Sequence, residues 1–348
     1  MRLRVFSPFA GLALSGCVLV VGCGGPMTEG EGGPDAGGDS PSGRDVQVVP
    51  TDGTVGMDVV RNDVVTPPAD VVMPPADVVM GTCPAPPAGV TANAMAAHAL
   101  TNQVRLAMGL RCQTMVTTIN TAATNHCNYY SGNRAMAMCV SNPHAEVMGC
   151  PMFTGASFAN RMTAAGYRGS PAFEVMAFVN NGTGSVQMWI DSIWHRTPVL
   201  SPWTLDMGYG SAAGCDTIDY GVGAGGSVPA TTVASYPYPN MINVPPSFSG
   251  NEGPPPPAPP TGWPSGYPVH LYAQGVMWGA HTLTLEGSTT DIPHVWLAPG
   301  DPRAMGLLRS EAVLYANRPL TARTRYHVHV DTTRGGAPVP FDFVFTTR

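Results

Sequence analysis

Apolar positions recur at helical spacing in four stretches of the chain after residue 90. Leu100, Val104 and Met108 share one face of a predicted helix over 92–108, which Gly109 ends as a C′ glycine. Met115, Ile119, Ala122 and Ala123 form the stripe of a second helix over 114–130. Phe158, Met162 and Ala165 line a third over 157–165, stopped by Gly166. A fourth starts at Ser185, buries Val186, Trp189, Ile190 and Ile193, and ends at Pro198. Between the third and fourth, 172–180 reads as a short apolar strand closed by the Asn181-Gly182 turn signal, and 206–210 and 217–222 read as further strands. Past residue 236 the period changes to two. Strands are predicted at 269–273, 282–285, 294–297, 311–315, 325–330 and 341–347, with 240–250 as the first of the set and turns such as Pro299-Gly300 and Gly335-Gly336 between them. The pattern therefore predicts an α+β chain: a layered helix-and-strand domain over 88–235, then an all-β sandwich over 236–348.

The first 87 residues fit neither pattern. Arg2 and Arg4 precede a mostly apolar run to Val21, too short for a confident membrane span, so 1–22 reads as an export signal. Leu14-Ser-Gly-Cys17 and Val20-Val-Gly-Cys23 both resemble the bacterial lipobox; Cys23 leaves a full-length apolar region and is preferred for lipidation, with Cys17 as the alternative. Residues 23–87 hold Gly, Pro, Asp and Val, and PPADVVM occurs twice in tandem at 67–80. A Pro pair every seventh residue blocks sheet pairing, and spaced carboxylates keep the segment solvated, so it reads as a disordered tether. The position after Cys23 is Gly24, which resembles outer-membrane sorting. The expected location is therefore exported, lipid-anchored, at the outer membrane or surface of a Gram-negative bacterium, with the membrane held through the N-terminal anchor.

Charge changes the picture little. The net charge of −6 combines +2 from the export signal with −8 from the tether; from residue 83 onward Arg balances Asp plus Glu, and there is no Lys. A neutral folded part has no electrostatic footprint for nucleic acid. Six cysteines follow the export region: Cys83, Cys112, Cys127, Cys139, Cys150 and Cys215. They point to an oxidising compartment, and a Cys139–Cys150 bridge would brace the loop between them.

Candidate chemistry gathers between His144 and Gly210. His144 and His195 stand about fifty residues apart, with Glu146, Glu174, Asp191 and Ser192 near one or the other. Two imidazoles and a carboxylate suit a divalent metal such as zinc, or acid–base work near neutral pH. Ser192 and His195 are i,i+3 neighbours on the predicted helix, so the hydroxyl is placed to bond the imidazole. Glu146 is a second candidate carboxylate. His126 reads as a helix-surface or packing residue, and Trp189 and Trp194 as core and cleft wall. His327 and His329 share one strand face, read as an exposed polar face rather than a metal site.

Several of these residues carry a resemblance. Asn102-x-x-Arg105 then Gly109-Leu-Arg111, Ala122-Ala123-x-x-His126, Phe153-Thr-Gly, Arg161 to Tyr167, and above all Trp189-x-x-Ser192-x-x-His195-Arg196 before Gly208-Tyr-Gly210 resemble the CAP superfamily (cysteine-rich secretory, antigen five and pathogenesis-related proteins; SCP-like) over about 90–225. The resemblance implies an α-β-α sandwich with a cleft of two histidines and two glutamates. His144, His195 and Glu174 match three of the four. Ser192 stands where the second glutamate is usual. The C-terminal part resembles bacterial immunoglobulin-like domains.

Other motifs are weak. Gly221-x-Gly223-x-x-Gly226 is followed by no helix, so it lacks the context of a phosphate loop. No G-x-S-x-G occurs. The family contains non-enzymatic binders, and with Ser192 in the glutamate position the leading expectation is a surface-tethered protein binding an extracellular lipid, glycan or protein in the cleft. The alternatives are a metal-dependent or acid–base hydrolase using the same cleft, and an adhesin acting through the C-terminal sandwich.

Overall fold

The computed structural model describes residues 83–223 and 228–348. The export signal, Cys17, Cys23, the tether up to residue 82 and Gly226 lie outside the described residues. The first part runs α1 (Ala92–Ala107), β1 (Thr114–Met115), α2 (Thr117–Asn133), α3 (Phe158–Ala164), β2 (Ser170–Ala177), α4 (Gly182–Ile190), α5 (Arg196–Leu200), β3 (Asp206–Ala212), β4 (Cys215–Val222). The second runs β5 (Val233–Tyr236), β6 (Ser247–Phe248), β7 (Ser265–Gly266), β8 (Val269–Ala273), β9 (Met277–Leu285), β10 (His294–Leu297), β11 (Glu311–Ala316), β12 (Arg325–Arg334), β13 (Ala337–Pro338), β14 (Phe341–Thr346). Helices and several sheets share one chain. Among the described residues no helix is long and apolar enough to cross a membrane.

The first sheet has the order β1-β3-β4-β2, with β1 parallel to β3 and the other pairs antiparallel. Alternation along a strand sends side chains to opposite faces. Val175 and Ala177 join Ala97, Leu100, Val186 and Trp189 from α1 and α4, whereas Met176 between them meets Cys127 of α2. The sheet is thus covered on both faces. α2 lies very close to β3: a Cβ at Gly208 would fall on the backbone of Ile119 and Asn120, and one at Gly210 on that of Thr124. Glycine at both positions is what admits the helix.

Local signals explain the helix ends. Thr91 caps α1, its hydroxyl accepting from the Ala94 N–H at 3.2 Å. Arg105, fully buried, donates to the carbonyls of Arg111, Ser201 and Thr204 and ties α1 to the turn before β3. The fourth helix differs from its prediction. It starts at Gly182, capped by Asn181 rather than Ser185, and ends at Ile190. Pro198 does not end it; it sits inside the separate helix α5, where the first turn has no need of its missing N–H. Thr114 belongs to β1 and not to the second helix.

Three disulfides join Cys83 to Cys112, Cys127 to Cys215 and Cys139 to Cys150. The second pins α2 to the start of β4. The third closes a short loop around His144; a ring of that size removes roughly 3 kcal/mol of unfolded-state entropy. Three such bonds are those of an exported chain matured in an oxidising compartment.

In the second part, β10-β11-β8-β5 form one antiparallel sheet, and β9, β12 and β14 form another with β13 beside the end of β12. Leu271 and Leu314 of the first meet Leu283, Val328 and Phe343 of the second in a shared core. The predicted strand over 240–250 is reduced to Ser247–Phe248, paired with β7. The strand that opens the sheet is β5 instead, ending at residue 236. The two parts are not separated by a solvated gap. Tyr236, Tyr267 and Leu271 lie in the same continuous core as Trp189 and Leu200.

Candidate functional site

β2 is the edge strand of the first sheet, so its Phe173, Glu174 and Val175 are free to line a cleft. The opposite wall is Trp194, His195, Thr197 and Pro198, from the turn between α4 and α5 and from α5 itself. His144 comes from the disulfide-closed loop, and Gly253 and Leu307 reach in from the C-terminal part. The enclosed cavity has a volume of about 30 Å³, which is room for one or two waters.

Behind His144 lies a buried charged cluster. Glu174 Oε1 sits 2.9 Å from His144 Nδ1, and Glu174 Oε2 accepts from the Arg161 guanidinium. Arg161 also donates to the His144 carbonyl at 3.3 Å. Burial alone would push the Glu174 carboxyl up, but Arg161, His126 and His144 beside it outweigh that and hold it well below the usual carboxylate range. Period-two alternation places Asp219 of β4 directly across from Glu174, on the same face. Asp219 is fully buried, and burial together with the negative charge of Glu174 raises its pKa well above the ordinary value.

Glu146 lies deeper, away from the cleft. Its Oε1 is 3.0 Å from His126 Nδ1, and its carboxylate accepts from the N–H groups of Thr154 and Gly155. Burial raises it, but these bonds and Arg161 bring it below the ordinary value. It does not replace the missing cleft carboxylate; it fixes His126, whose Nε2 is 2.8 Å from the Pro143 carbonyl and so holds the His144 loop. His126, read from sequence as packing, is the buried post on which that loop stands.

Ser192 does not bond His195. Helix α4 has ended before it, and its hydroxyl donates to the Trp189 carbonyl at 2.7 Å, the common back-bond of a serine to its own helix. The group that meets His195 is Glu252, from the segment between β6 and β7 of the C-terminal part. Its Oε2 is 3.1 Å from His195 Nδ1 and accepts from the Trp194 N–H at 2.8 Å, while Oε1 accepts from the Ile193 N–H at 2.6 Å. Sequence reasoning missed it. The signal was faint: one of only two acidic residues between Asp219 and Asp291, set in Ser249-Gly-Asn-Glu252-Gly.

The two cleft imidazoles are therefore held alike. Each gives Nδ1 to a glutamate whose side chain is 2% exposed, while His144 and His195 are themselves 16% and 19% exposed. No group among the described residues bonds either Nε2. Trp194 adds an indole N–H, buried and without a partner. The donor set does not suit the expected zinc: the glutamate oxygens face Nδ1 atoms and backbone N–H groups, every thiol after residue 82 is in a disulfide, and among the described residues no three His, Cys, Asp or Glu gather as a metal would require. Asp191 faces elsewhere, accepting from the Tyr267 hydroxyl at 2.7 Å. On the C-terminal part, His327 and His329 both approach Asp342, at 2.7 and 3.0 Å, on an exposed face.

No family model matches the chain, and no curated protein does. Several solved structures resemble part of it. One of these is an extracellular protein containing a SCP domain from Bacillus anthracis strain Ames, 18% identical, with a TM-score of 0.33. The match covers 38% of this chain and 40% of that one, so the chain spans well under half the length of that protein.

Proposed function

We propose that the chain is an exported, lipid-anchored protein with a CAP-like first domain and an immunoglobulin-like second, and that its cleft binds the hydroxyl-bearing end of an extracellular glycan. The carrying observation is the pair of imidazoles that line one cleft with Nδ1 committed to a buried glutamate and Nε2 unbonded. A carboxylate beside Nδ1 selects the Nδ1–H tautomer, leaving a lone pair on each Nε2. A ligand hydroxyl can donate to that lone pair. A carboxylate or phosphate would set its own lone pairs against the two nitrogens. A water-sized cavity admits one protruding hydroxyl, not a buried acyl chain or sterol, whose pockets run to about 300–1,000 Å³.

Titration of the full chain in detergent with neutral oligosaccharides, acidic oligosaccharides and phospholipid vesicles tests this. The expected outcome is binding of a neutral oligosaccharide, weakened at least tenfold in His144→Ala and in His195→Ala. Binding to vesicles alone, or oligosaccharide binding that survives both changes, would overturn it. One observation favours a second reading: a water-sized cavity between two carboxylate-backed imidazoles is suited to acid–base attack by water. New reducing ends appearing in the same oligosaccharides, and lost in both variants, would make the protein a hydrolase.

A further inference from the structure

We infer that Glu252 is the positioning residue of His195, so that the C-terminal part is a working component of the cleft rather than a separate module. The inference deepens the proposed glycan reading but stands on its own geometry. Glu252 is buried and points three contacts at three consecutive residues: the N–H groups of Ile193 and Trp194, and the ring of His195. The two backbone bonds fix where the carboxylate sits. The shared Oε2 then leaves His195 one arrangement, with the proton on Nδ1, because an ionised carboxylate only accepts.

The segment that delivers Glu252 is locked by the C-terminal core. Gly250 takes a positive φ of 78°, and a Cβ there would fall on the Trp263 ring. Trp263 stacks on Tyr315 at 5.9 Å and meets Phe248 edge-on at 5.5 Å. Those residues share one apolar cluster with Ile193 and Trp194. Gly253 and Leu307 close the cleft from the same side. Within the first part alone, His195 Nδ1 has no other carboxylate: Ser192 is turned to Trp189, Glu174 to His144, and Glu146 to His126. The resulting site has two carboxylate–imidazole pairs. One is built within the first part; the other is made only when the second part is docked.

Nitrogen-15 NMR of histidine-labelled full chain reads the tautomer directly, at a pH where His195 is neutral. In the unaltered protein His195 should show a single Nδ1–H tautomer. In Glu252→Ala the acceptor is gone and the Nε2–H form should appear, with His144 unchanged. Glu252→Gln, which halves the acceptor capacity while keeping the shape, should give a mixture and serves if the alanine variant does not fold. An unchanged His195 tautomer in both variants, with only the melting temperature lowered, would make Glu252 a mere backbone cap and overturn the inference. A shifted tautomer in a protein that binds no oligosaccharide would leave Glu252 in place and sink the glycan reading instead. Where oligosaccharide binds, Glu252→Ala should weaken it at least tenfold.

Discussion

Asp219 is the residue whose chemistry is most at odds with its surroundings. It is a buried carboxyl facing Glu174, which is ionised because Arg161 is beside it. Asp219 has a raised pKa in the folded state, so the unfolded chain gives up that proton first. Its contribution is therefore unfavourable above the unfolded value of about 3.9, increasing until the folded value is passed, and absent below it. Glu174 has the opposite sign. Its pKa is depressed on folding, so its stabilisation is present above its unfolded value and is lost as pH falls from there through the folded one. Asp219→Asn keeps the shape and removes the ionisation, and should raise the melting temperature at pH 7 by a few degrees, about what 1 kcal/mol gives a domain of this size. The gain should close by about pH 3.5, below the unfolded value, as calorimetry across that range will show. His144, Glu174 and His195 are legible in the sequence because a resemblance orders them. Asp219 is not, because in β4 it reads as one polar position in a strand, and only the register across to Glu174 gives it meaning. Glu252 is hidden for a different reason: its partner is fifty-seven positions away, beyond two further strands of the first sheet.

The elements themselves are readable where period and cap agree. α1 is predicted over 92–108 and spans Ala92–Ala107, and α3 is predicted over 157–165 and spans Phe158–Ala164, each with its threonine or serine cap. The departure falls in the tryptophan segment, where one apolar stripe runs on from α4 through Ile193 while the backbone turns. Glu252 holds that turn open by bonding the N–H groups of Ile193 and Trp194, which a continuous helix would have used internally. At the same scale, Gly208-Tyr-Gly210 is an element-packing motif rather than a site motif. Gly210→Ala would drive a methyl into the α2 backbone at Thr124, where no side chain can rotate away. Such overpacking should destabilise by about 3 kcal/mol, measured by denaturant unfolding, and it should lower cleft function only in proportion to the unfolded fraction.

On the scale of the whole molecule, the two parts share one continuous apolar core and one buried guanidinium. Arg196, buried on α5, donates to the Ile190 carbonyl on its own side and to the Pro268 carbonyl, at 2.6 Å, on the other. Its guanidinium also lies 5.0 and 4.8 Å from the ring centres of Tyr236 and Tyr267. Removing it leaves two buried carbonyls without donors and two tyrosine faces without a cation. Arg196→Ala should cost roughly 3–5 kcal/mol and split a single calorimetric transition into two, the first part and the second melting apart. A single transition at an unchanged temperature would show that the shared apolar core joins them unaided. The sequence suggests two domains because the period of its hydrophobic pattern changes near residue 236. It does not show that their interface is continuous core, since Tyr236, Tyr267 and Arg196 are ordinary in isolation.

The Cys83–Cys112 bond also determines how the fold bears a mechanical load. A pull on the chain ahead of Cys83 does not travel along α1. It crosses the sulfur bridge to Cys112, passes Gln113, and enters β1, which lies parallel beside β3 in the sheet. Helix α1, with the Asn102 and Arg105 contacts that seat it, hangs outside the line of force as a slack loop. Reduction of that one bond would reroute the tension through Pro84 and Thr91 and make α1 the first element to peel away.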